Sequence, residues 1–446
     1  MSLEKNIALM LRSKNDKNCI FSTGPAEIEL HPEALEGIIS YLNGGMMNPR
    51  SQEFGEILIK ARENINRLVG LTETHEVMFA TGSGSNAAQA MCSCVRKKDK
   101  VALLRTGIYA ERLRETLEYA RVPVFTHDSS NGRYPNLEEF EKVIKENKCN
   151  VIAMIAGPTG DAVIMPVEKN AAIAKKLNVE IILDTISTFG AEPHLYMRKY
   201  GEQLRAITVG LNKALRCGVF GLNGAIVCKR NVIDDMVANR DRYIWVGGSE
   251  DLASICQYNR KGRHKQTISP MAVYLVEKVC KNLLQNDPNL VCQIQEMRFR
   301  QAYVRKGCMN LGMRLSRHEH PAPLMAIGSK YHLPEKYSTL GEMQLALSKV
   351  TINGWHFDIY GESESQELRI FSMGFPGVES REMEKKAIKK EITAAIERND
   401  QYARAWFSGE SADMFPLEEQ VKVQIPAIEH EIGTYSDFLR AIAQIL

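Results

Sequence analysis

The chain has 446 residues, of which 44% are hydrophobic and 25% charged, the balance of an ordinary folded protein with two or three domains. Its 57 Lys and Arg residues nearly match its 54 Asp and Glu residues, and the resulting net charge of +3 indicates neither nucleic acid nor a membrane surface as partner. No apolar run approaches the roughly 18 residues of a membrane span, and the N-terminal stretch MSLEKNIALMLRSKNDKN does not predict a signal peptide.

From about residue 75 the sequence alternates short β-branched runs with helical stretches. Seven runs predict strands: HEVMFATG, KVALLRT, VPVFTH, NVIAMIAG, VEIILDT, LRAITVG and LNGAIVCK. Helical patterns such as NAAQAMCSCVRKK, ERLRETLEYA, EEFEKVIKENK and EKNAAIAKKLN separate the first five of them. This βαβ alternation predicts an α/β domain with a mostly parallel sheet covered by helices.

Beyond about residue 270 the pattern changes. Two long helical patterns, MAVYLVEKVCKNLLQ and LVCQIQEMRFRQAYVRKG, precede strands in SKVTINGWHFDIY and ELRIFSMG and an amphipathic helix, EMEKKAIKKEITAAIERN. We therefore predict a large α/β domain over residues 20–285 and a smaller α+β domain over residues 286–400, with residues 1–19 packing near it. Residues 401–446 form a C-terminal extension with a predicted helix in YSDFLRAIAQIL.

The ten cysteines are spread along the chain without any C-x-x-C pair, and several lie inside apolar runs. This spacing predicts reduced thiols that fill the core of a cytoplasmic protein, and it excludes a zinc site. The pair of histidines in His318-Glu319-His320 has no third ligand in view, so we expect no metal.

Three features carry candidate chemistry. The loop Thr81-Gly82-Ser83-Gly84-Ser85 follows a strand and opens a helix, where backbone N–H groups and hydroxyls can hold a phosphate. Asp184 ends the strand VEIILDT, at the sheet edge where α/β proteins bind ligands. Lys213 follows LRAITVG in a segment short of other charges, where desolvation lowers a lysine pKa. Taken singly, each feature also has an ordinary structural interpretation. The loop could be a tight strand–helix turn, Asp184 a helix cap and Lys213 a surface lysine.

Together these features have the layout of a pyridoxal 5′-phosphate (PLP) site. PLP needs an anion cradle for its phosphate, a carboxylate to keep its pyridine nitrogen protonated, and a lysine to hold its aldehyde. The cradle, Asp184 and Lys213 occur in that order on an α/β framework.

With these residues the chain resembles the class V aminotransferases of fold type I, the group of alanine–glyoxylate, serine–pyruvate and 2-aminoethylphosphonate aminotransferases. The resemblance runs from about Phe21 to about Ile396, and its landmarks stand in the family's order. They are STGPAEIELHPEAL, NPRSQEF, FATGSGSNAAQA, RTGIYAERL, GPTGDAVIMPV, ILDTIST, VGLNKAL and LRIFSMG.

The resemblance implies a role for each matching residue at the cofactor. Lys213 would form the Schiff base and carry the proton, and Asp184 would pair with the pyridinium nitrogen. The other cofactor residues would be Tyr109 and Ile186 on the two ring faces, Thr159 at the phenolic oxygen, and Ser83, Gly84 and Ser85 at the phosphate. Thr267 would reach the phosphate across a homodimer interface, and His264, in the basic run before it, is also expected to bind the cofactor at its phosphate.

The resemblance also implies a substrate site. Arg369, in ELRIFSMG, matches the arginine that grips the substrate carboxylate, because its planar fork suits that anion. Gly24 and Pro25 lie in the segment that lines the pocket in this family, and Arg50 is expected at the pocket mouth.

The leading hypothesis is therefore an aminotransferase that uses a small amino donor and a 2-oxo acid as acceptor. Asn212 before Lys213 is nearer to the 2-aminoethylphosphonate branch than to the alanine–glyoxylate branch, where Gln is usual. A lyase of the same fold stays open, although the absence of cysteine after Cys308 argues against a desulfurase.

Two further alternatives belong to other classes. A nicotinamide-dependent oxidoreductase could use GSGSNA, but the strand VALLRT ends without the acidic residue that binds ribose, although Arg105 would suit a 2′-phosphate. A catalytically dead binding protein is disfavoured because both Asp184 and Lys213 are present.

Overall fold

The structure is a computed structural model that describes residues 18–22, 30–45, 47–129, 135–192, 194, 196–218, 221–246, 251–285, 293–294, 297, 301, 304–305, 307–316, 325, 328–352, 355–360, 363–371 and 440–446. Its strands are β1 Asn18–Ser22, β2 His75–Ala80, β3 Val101–Arg105, β4 Val124–Asp128, β5 Val151–Ile155, β6 Glu180–Thr185, β7 Leu204–Gly210, β8 Gly224–Lys229, β9 Gly328–His332, β10 Thr351–Ile352, β11 Trp355–Tyr360 and β12 Glu367–Phe371. Its helices are α1 Pro32–Gly44, α2 Gln52–Val69, α3 Gly84–Cys92, α4 Ile108–Tyr119, α5 Leu137–Glu146, α6 Val167–Leu177, α7 Tyr196–Lys199, α8 Arg230–Ala238, α9 Leu252–Asn259, α10 Pro270–Gln285, α11 Leu340–Leu347 and α12, residues 440–445.

The central sheet contains all seven strands predicted from the apolar runs, in the order β2-β8-β7-β6-β5-β3-β4. Only β8 runs against its neighbours in this sheet, and the pairs from β7 through to β4 are parallel. The predicted mostly parallel α/β sheet is therefore confirmed. Since β6 and β7 are neighbours, their carboxyl ends, and the residues that follow them, meet at one edge of the sheet.

Both faces of this sheet are covered. Successive residues of β2 alternate between two apolar cores, with Val77 and Phe79 in one and Met78 and Ala80 in the other. This is the period of two that a strand imposes on its side chains. A sheet buried in this way explains why β5 is a continuous apolar run and why every residue of β7 is buried.

The smaller domain is built around two small sheets. In one of them β1 pairs in parallel with β11, which also pairs with β10. In the other β12 runs antiparallel to β9. The domain boundary that we predict at residue 20 thus falls inside β1, a strand that pairs with β11 of the second predicted domain. The amphipathic helix predicted in EMEKKAIKKEITAAIERN lies outside the described residues.

The end of the C-terminal extension packs into the small domain. Ala441, Ile442 and Ile445 are buried in one apolar cluster with Leu368 and Ile370 of β12. Two side chains tie this helix down as well, because Lys336 Nζ and Tyr337 Oη both donate to the Ile445 carbonyl, at 2.9 and 2.6 Å. Helix α12 is therefore part of the small-domain core.

Replacing Ile442 with alanine is expected to lower the free energy of unfolding by about 2–5 kcal/mol, because a fully buried aliphatic side chain is truncated. Urea denaturation measures this loss. The matched control is Leu345→Ala, a truncation on α11 at a side chain that is 61% exposed, and its effect should stay below about 1 kcal/mol. Equal losses in the two variants would show that α12 does not contribute to the core.

Among the described residues, no helix combines the length and the apolar character needed to cross a membrane. The same residues contain no cluster of three or more His, Cys, Asp or Glu side chains arranged to hold a metal ion.

Candidate active site

The predicted anion cradle opens α3. Ser83 is the N-cap, with Asn86 N donating to Ser83 Oγ at 3.3 Å and Ser83 N donating to Asn86 Oδ1 at 3.1 Å. This capping box fixes the start of the helix while the first-turn N–H groups of Gly84 and Ser85 have no partner within the helix. Gly82 precedes the cap with φ +92°, a conformation that favours glycine. The loop therefore presents backbone donors at the positive end of a helix.

Gly84 must remain without a side chain. A Cβ at this position would lie 2.7 Å from Ile186 Cγ2, and a Cβ at Gly210 would lie 2.1 Å from the Ile186 carbonyl oxygen. Ile186 thus packs directly between the cradle and the end of β7. The two glycines bring the predicted phosphate residues and the predicted ring-face residue into contact.

Asp184 is buried at the end of β6. Its Oδ1 accepts hydrogen bonds from Ile186 N at 2.9 Å and from Thr208 Oγ1 at 2.7 Å. Burial raises the pKa of the Asp184 carboxyl, while these two donors and the charge of Lys213 act to lower it. Oδ2 accepts no hydrogen bond from the described residues, so the carboxylate is held by one oxygen and has the other free for a ligand.

Lys213 lies in the turn that follows β7. Its Nζ donates to Ser187 Oγ at 3.2 Å and lies 5.8 Å from the centre of the Tyr109 ring. Burial lowers the pKa of Lys213 to about 8, with the charge of Asp184 opposing the shift. A half-buried lysine whose amine is desolvated in this way is partly neutral near physiological pH, as a nucleophile must be.

Tyr109 lies in the first turn of α4 beside Lys213. The Arg112 guanidinium, one turn further on, lies 5.3 Å from the Tyr109 ring centre and donates from Nη1 to Ser85 Oγ at 3.1 Å. The cradle, the aromatic ring and the lysine therefore form one contiguous group. Arg112 adds a positive charge beside the cradle.

Sequence reasoning missed two of these contacts, those of Ser187 and Arg112. Ser187 stands three residues after Asp184, in the turn that follows β6. The sequence could have indicated Ser187 as a site residue, because it follows a strand that ends at the same sheet edge as Asp184 and Lys213. Arg112 stands one helical turn after Tyr109, so the sequence shows that the two residues share a helix face. It does not show that the Arg112 side chain points towards Ser85.

Thr159 is buried in the turn between β5 and α6. Two residues later, Asp161 Oδ1 lies 3.7 Å from Lys330 Nζ of β9, an ion pair that joins this turn to the small domain. Arg369 of β12 is directly opposite Lys330 in the antiparallel pair, and opposed residues share one face of a sheet. The half-buried Arg369 is thus on the face whose lysine reaches the Thr159 turn.

Other predicted residues lie apart from this group. Arg50 is exposed just before α2, and its backbone N–H donates to Asn48 Oδ1. Thr267 is exposed too, although its neighbour Gln266 accepts a hydrogen bond from Thr81 Oγ1, directly before the cradle. Gly24 and Pro25 lie outside the described residues.

His264 is engaged by the main chain. Its Nε2 lies 3.1 Å from the Phe79 carbonyl oxygen, and its Nδ1 accepts from Gln266 N at 3.2 Å. Burial lowers the pKa of His264, so the ring is neutral near pH 7. Both ring nitrogens are therefore used in holding the loop, and neither is left for a phosphate.

Arg105, which the oxidoreductase alternative would need, is paired as well. It lies 3.0 Å from Glu111 and 3.6 Å from Asp128. The Arg105 guanidinium, which would have to bind a 2′-phosphate, is thus already paired with these two carboxylates.

Comparison with known proteins indicates the protein family that this fold and site resemble. Residues 21–236 match the profile of the family described as Aminotransferase class-V. Among curated proteins, the 2-aminoethylphosphonate–pyruvate transaminase of Klebsiella pneumoniae is 25% identical over 134 residues, which cover 30% of this chain and 36% of that protein. The match thus spans little more than a third of the relative's length.

Solved structures show the same fold over most of the chain. The aspartate aminotransferase of subgroup IV from Thermus thermophilus superposes with a TM-score of 0.66 at 19% identity, over 85% of this chain and 100% of that one. The alanine–glyoxylate aminotransferase from Nostoc sp. gives a TM-score of 0.64 at 16% identity, over 84% and 95%. The fold is therefore that of the fold type I aminotransferases, and the predicted family resemblance is confirmed.

The residues present suit the cofactor of that family. The cradle has donors for a phosphate and a glycine where a side chain would not fit, Asp184 has a free carboxylate oxygen, and Lys213 has a desolvated amine. These are the three groups that PLP requires.

Capture of PLP by Lys213 is expected to speed up as pH rises, with a midpoint at about 8, because only the neutral amine attacks an aldehyde. Since the lysine pKa is lowered from 10.5, the neutral form predominates above about 8 and the rate should level off there. Stopped-flow absorbance after addition of PLP measures the rate at each pH. A midpoint above about 10 would mean that the amine is not desolvated.

Proposed function

We propose that this protein is a PLP-dependent aminotransferase that moves an amino group between a small amino acid or aminophosphonate and a 2-oxo acid such as pyruvate or glyoxylate. The observation that carries the proposal is the arrangement of Asp184 and Lys213 at the neighbouring ends of β6 and β7, next to the anion cradle of α3. The activity of the curated relatives, 2-aminoethylphosphonate–pyruvate transamination, supports the substrate class.

When bound, PLP supplies an aldehyde carbon that takes up the amino group and a ring that accepts electrons from the neighbouring C–H bond. The protein's part begins with binding. The first-turn N–H groups of Gly84 and Ser85 would hold the phosphate, and Arg112 adds charge there. Tyr109 and Ile186 would cover the two faces of the ring and exclude water.

Asp184 and Lys213 do the proton work in this proposal. The Asp184 carboxylate, held through Oδ1 by Ile186 N and Thr208 Oγ1, would keep a proton on the ring nitrogen through Oδ2. Lys213 would hold the aldehyde in the resting enzyme and, once released as a free amine, would accept a proton at Nζ from the substrate α-carbon and deliver it to the former aldehyde carbon on the other side of the amino nitrogen. An amine with a pKa of about 8 can do both near neutral pH.

Arg369 would bind the carboxylate or phosphonate of the substrate. The support is its position on the strand face that Lys330 connects to the Thr159 turn. The opposite face of β12, with Leu368 and Ile370, is buried in the small-domain core. A planar guanidinium on the site side suits a bidentate contact with the anion.

Arg369→Leu is expected to raise the KM for the 2-oxo acid about 10- to 100-fold while kcat changes far less, because a charge-assisted contact to the substrate is lost. Steady-state kinetics measures both constants. The matched control is Arg314→Leu, which replaces an exposed arginine of the same domain that lies 3.8 Å from Glu335. An unchanged KM in Arg369→Leu would remove Arg369 from the substrate site.

We further propose a cytoplasmic homodimer in which Thr267 of each chain reaches the phosphate bound by its partner. The exposure of Thr267 and the Thr81–Gln266 hydrogen bond support this, since the loop lies beside the cradle and the Thr267 hydroxyl makes no hydrogen bond to the described residues. The eight cysteines whose side chains the structure describes are buried free thiols, which supports a reducing compartment.

A panel of amino donors with three acceptors tests the function. The purified protein is supplied with PLP, then with 2-aminoethylphosphonate, alanine or serine, each paired with pyruvate, glyoxylate or 2-oxoglutarate. We expect at least one pair to turn over with ping-pong kinetics. Release of ammonia or loss of a substituent without any amino transfer would instead identify a lyase.

A further inference from the structure

Ser187 lies beside the reactive amine of the site. It is buried in the turn after β6, and its Oγ accepts the hydrogen bond of Lys213 Nζ at 3.2 Å. In the described part of the chain, Lys213 Nζ contacts this neutral hydroxyl and the face of the Tyr109 ring. The amine is thus held by two uncharged partners.

Asp184, whose negative charge acts on the Lys213 amine, forms no ion pair with it in the described structure. The Asp184 carboxylate attracts Lys213 electrostatically, yet in the described structure Asp184 Oδ1 is bound by Ile186 N and Thr208 Oγ1 and makes no ion pair with Nζ. Such an ion pair would be strong in a buried site. It would fix the lysine in its charged form and occupy the carboxylate.

The two groups must stay apart for the chemistry. The carboxylate is needed at the ring nitrogen of PLP, and the amine at the aldehyde carbon, on the opposite side of that ring. We propose that Ser187 is a positioning residue, which holds Lys213 Nζ against Tyr109 and away from Asp184 so that both groups remain available. This inference rests on the proposed function.

Titration of Lys213 in the full-length protein without added cofactor tests the placement. Trace acetylation at a series of pH values, read by mass spectrometry of the Lys213 peptide, gives the midpoint at which the amine becomes reactive. The wild-type midpoint should lie at about 8. In Ser187→Ala the amine is expected to move to Asp184, and the midpoint should rise by at least about one pH unit.

Two further variants make the test specific. Thr188→Val removes the neighbouring hydroxyl, which is buried and has no hydrogen-bond partner among the described residues, so its midpoint should equal that of the wild type. Ser187→Cys keeps the volume but weakens the hydrogen bond, and its midpoint should rise by less than that of Ser187→Ala. Ser187→Cys also serves if Ser187→Ala does not fold.

Kinetics of the PLP-loaded enzyme give the second readout. Ser187→Ala should lower kcat about 10-fold or more with KM within a factor of two, since the lysine and not the substrate site is disturbed. An acetylation midpoint in the Ser187 variants equal to that of Thr188→Val would overturn the proposal. A shifted midpoint in a protein that transfers no amino group would support the placement and overturn the proposed function alone.

Discussion

Replacing Lys213 with alanine is expected to lower the transamination rate about 10³-fold or more. The variant loses both the amine that holds the cofactor aldehyde and the group that carries the proton between the two carbons. The folded structure should persist, because the turn is held by backbone bonds from Leu211 N to the Asn223 oxygen and from Cys217 N to the Leu211 oxygen. Single-turnover kinetics with a saturating donor measures the loss.

The control for this variant is Lys199→Ala, an exposed lysine of α7 that pairs with Glu168 at 3.0 Å. It should keep the wild-type rate. Exogenous methylamine should partly restore the rate of Lys213→Ala, since a small amine can enter the vacated volume and carry the proton. A rate in Lys213→Ala above a tenth of the wild type would refute the assigned role.

Changing Asp184 to asparagine is expected to lower kcat about 10²- to 10³-fold, the usual loss when a charged group that stabilises the transition state is neutralised. The amide keeps the shape of the side chain and can still accept from Ile186 N and Thr208 Oγ1 through Oδ1. It cannot keep a positive charge on the ring nitrogen. The loss should therefore appear in kcat, with the thermal stability of the protein little changed.

A graded control distinguishes charge from geometry at this position. Thr208→Val removes one donor to Asp184 Oδ1 and leaves the carboxylate in place, so its kcat should fall about 10-fold at most. If Thr208→Val and Asp184→Asn were equally impaired, the carboxylate charge would not be the feature that matters.

Much of the fold and the centre of the site are predictable from local sequence. The central strands of the large sheet are rich in apolar and β-branched residues, so their positions follow from the sequence pattern. Asp184 and Lys213 each follow such a strand, and parallel strands bring their carboxyl ends to one edge. The sequence pattern could therefore identify the two groups without giving their contacts.

The ends of helices were harder to predict, because local side-chain hydrogen bonds can end a helix before its apolar pattern does. The pattern NAAQAMCSCVRKK predicts a helix that continues to the lysines, whereas α3 ends at Cys92. Ser93 Oγ donates to the Ala90 carbonyl at 2.7 Å, and Arg96 N donates to Asp99 Oδ2 at 2.8 Å. Such local bonds compete with helical ones, and their geometry is not visible in the apolar period.

Contacts between distant segments could not be predicted at all. The pairing of β1 with β11 and the burial of Ile442 depend on which surfaces the rest of the fold leaves open. The engagement of both His264 nitrogens and the Ser187–Lys213 hydrogen bond depend on side-chain direction. Neither kind of information is contained in residue type or spacing.

The visible absorption spectrum of the purified protein tests the central claim most directly. Addition of PLP should produce the absorption band of cofactor bound to Lys213, one equivalent of amino donor should abolish that band, and a 2-oxo acid should restore it. Lys213→Ala should not give the band. A protein that shows no band with PLP, or a band that no amino donor alters, would contradict the assignment of this site to amino-group transfer.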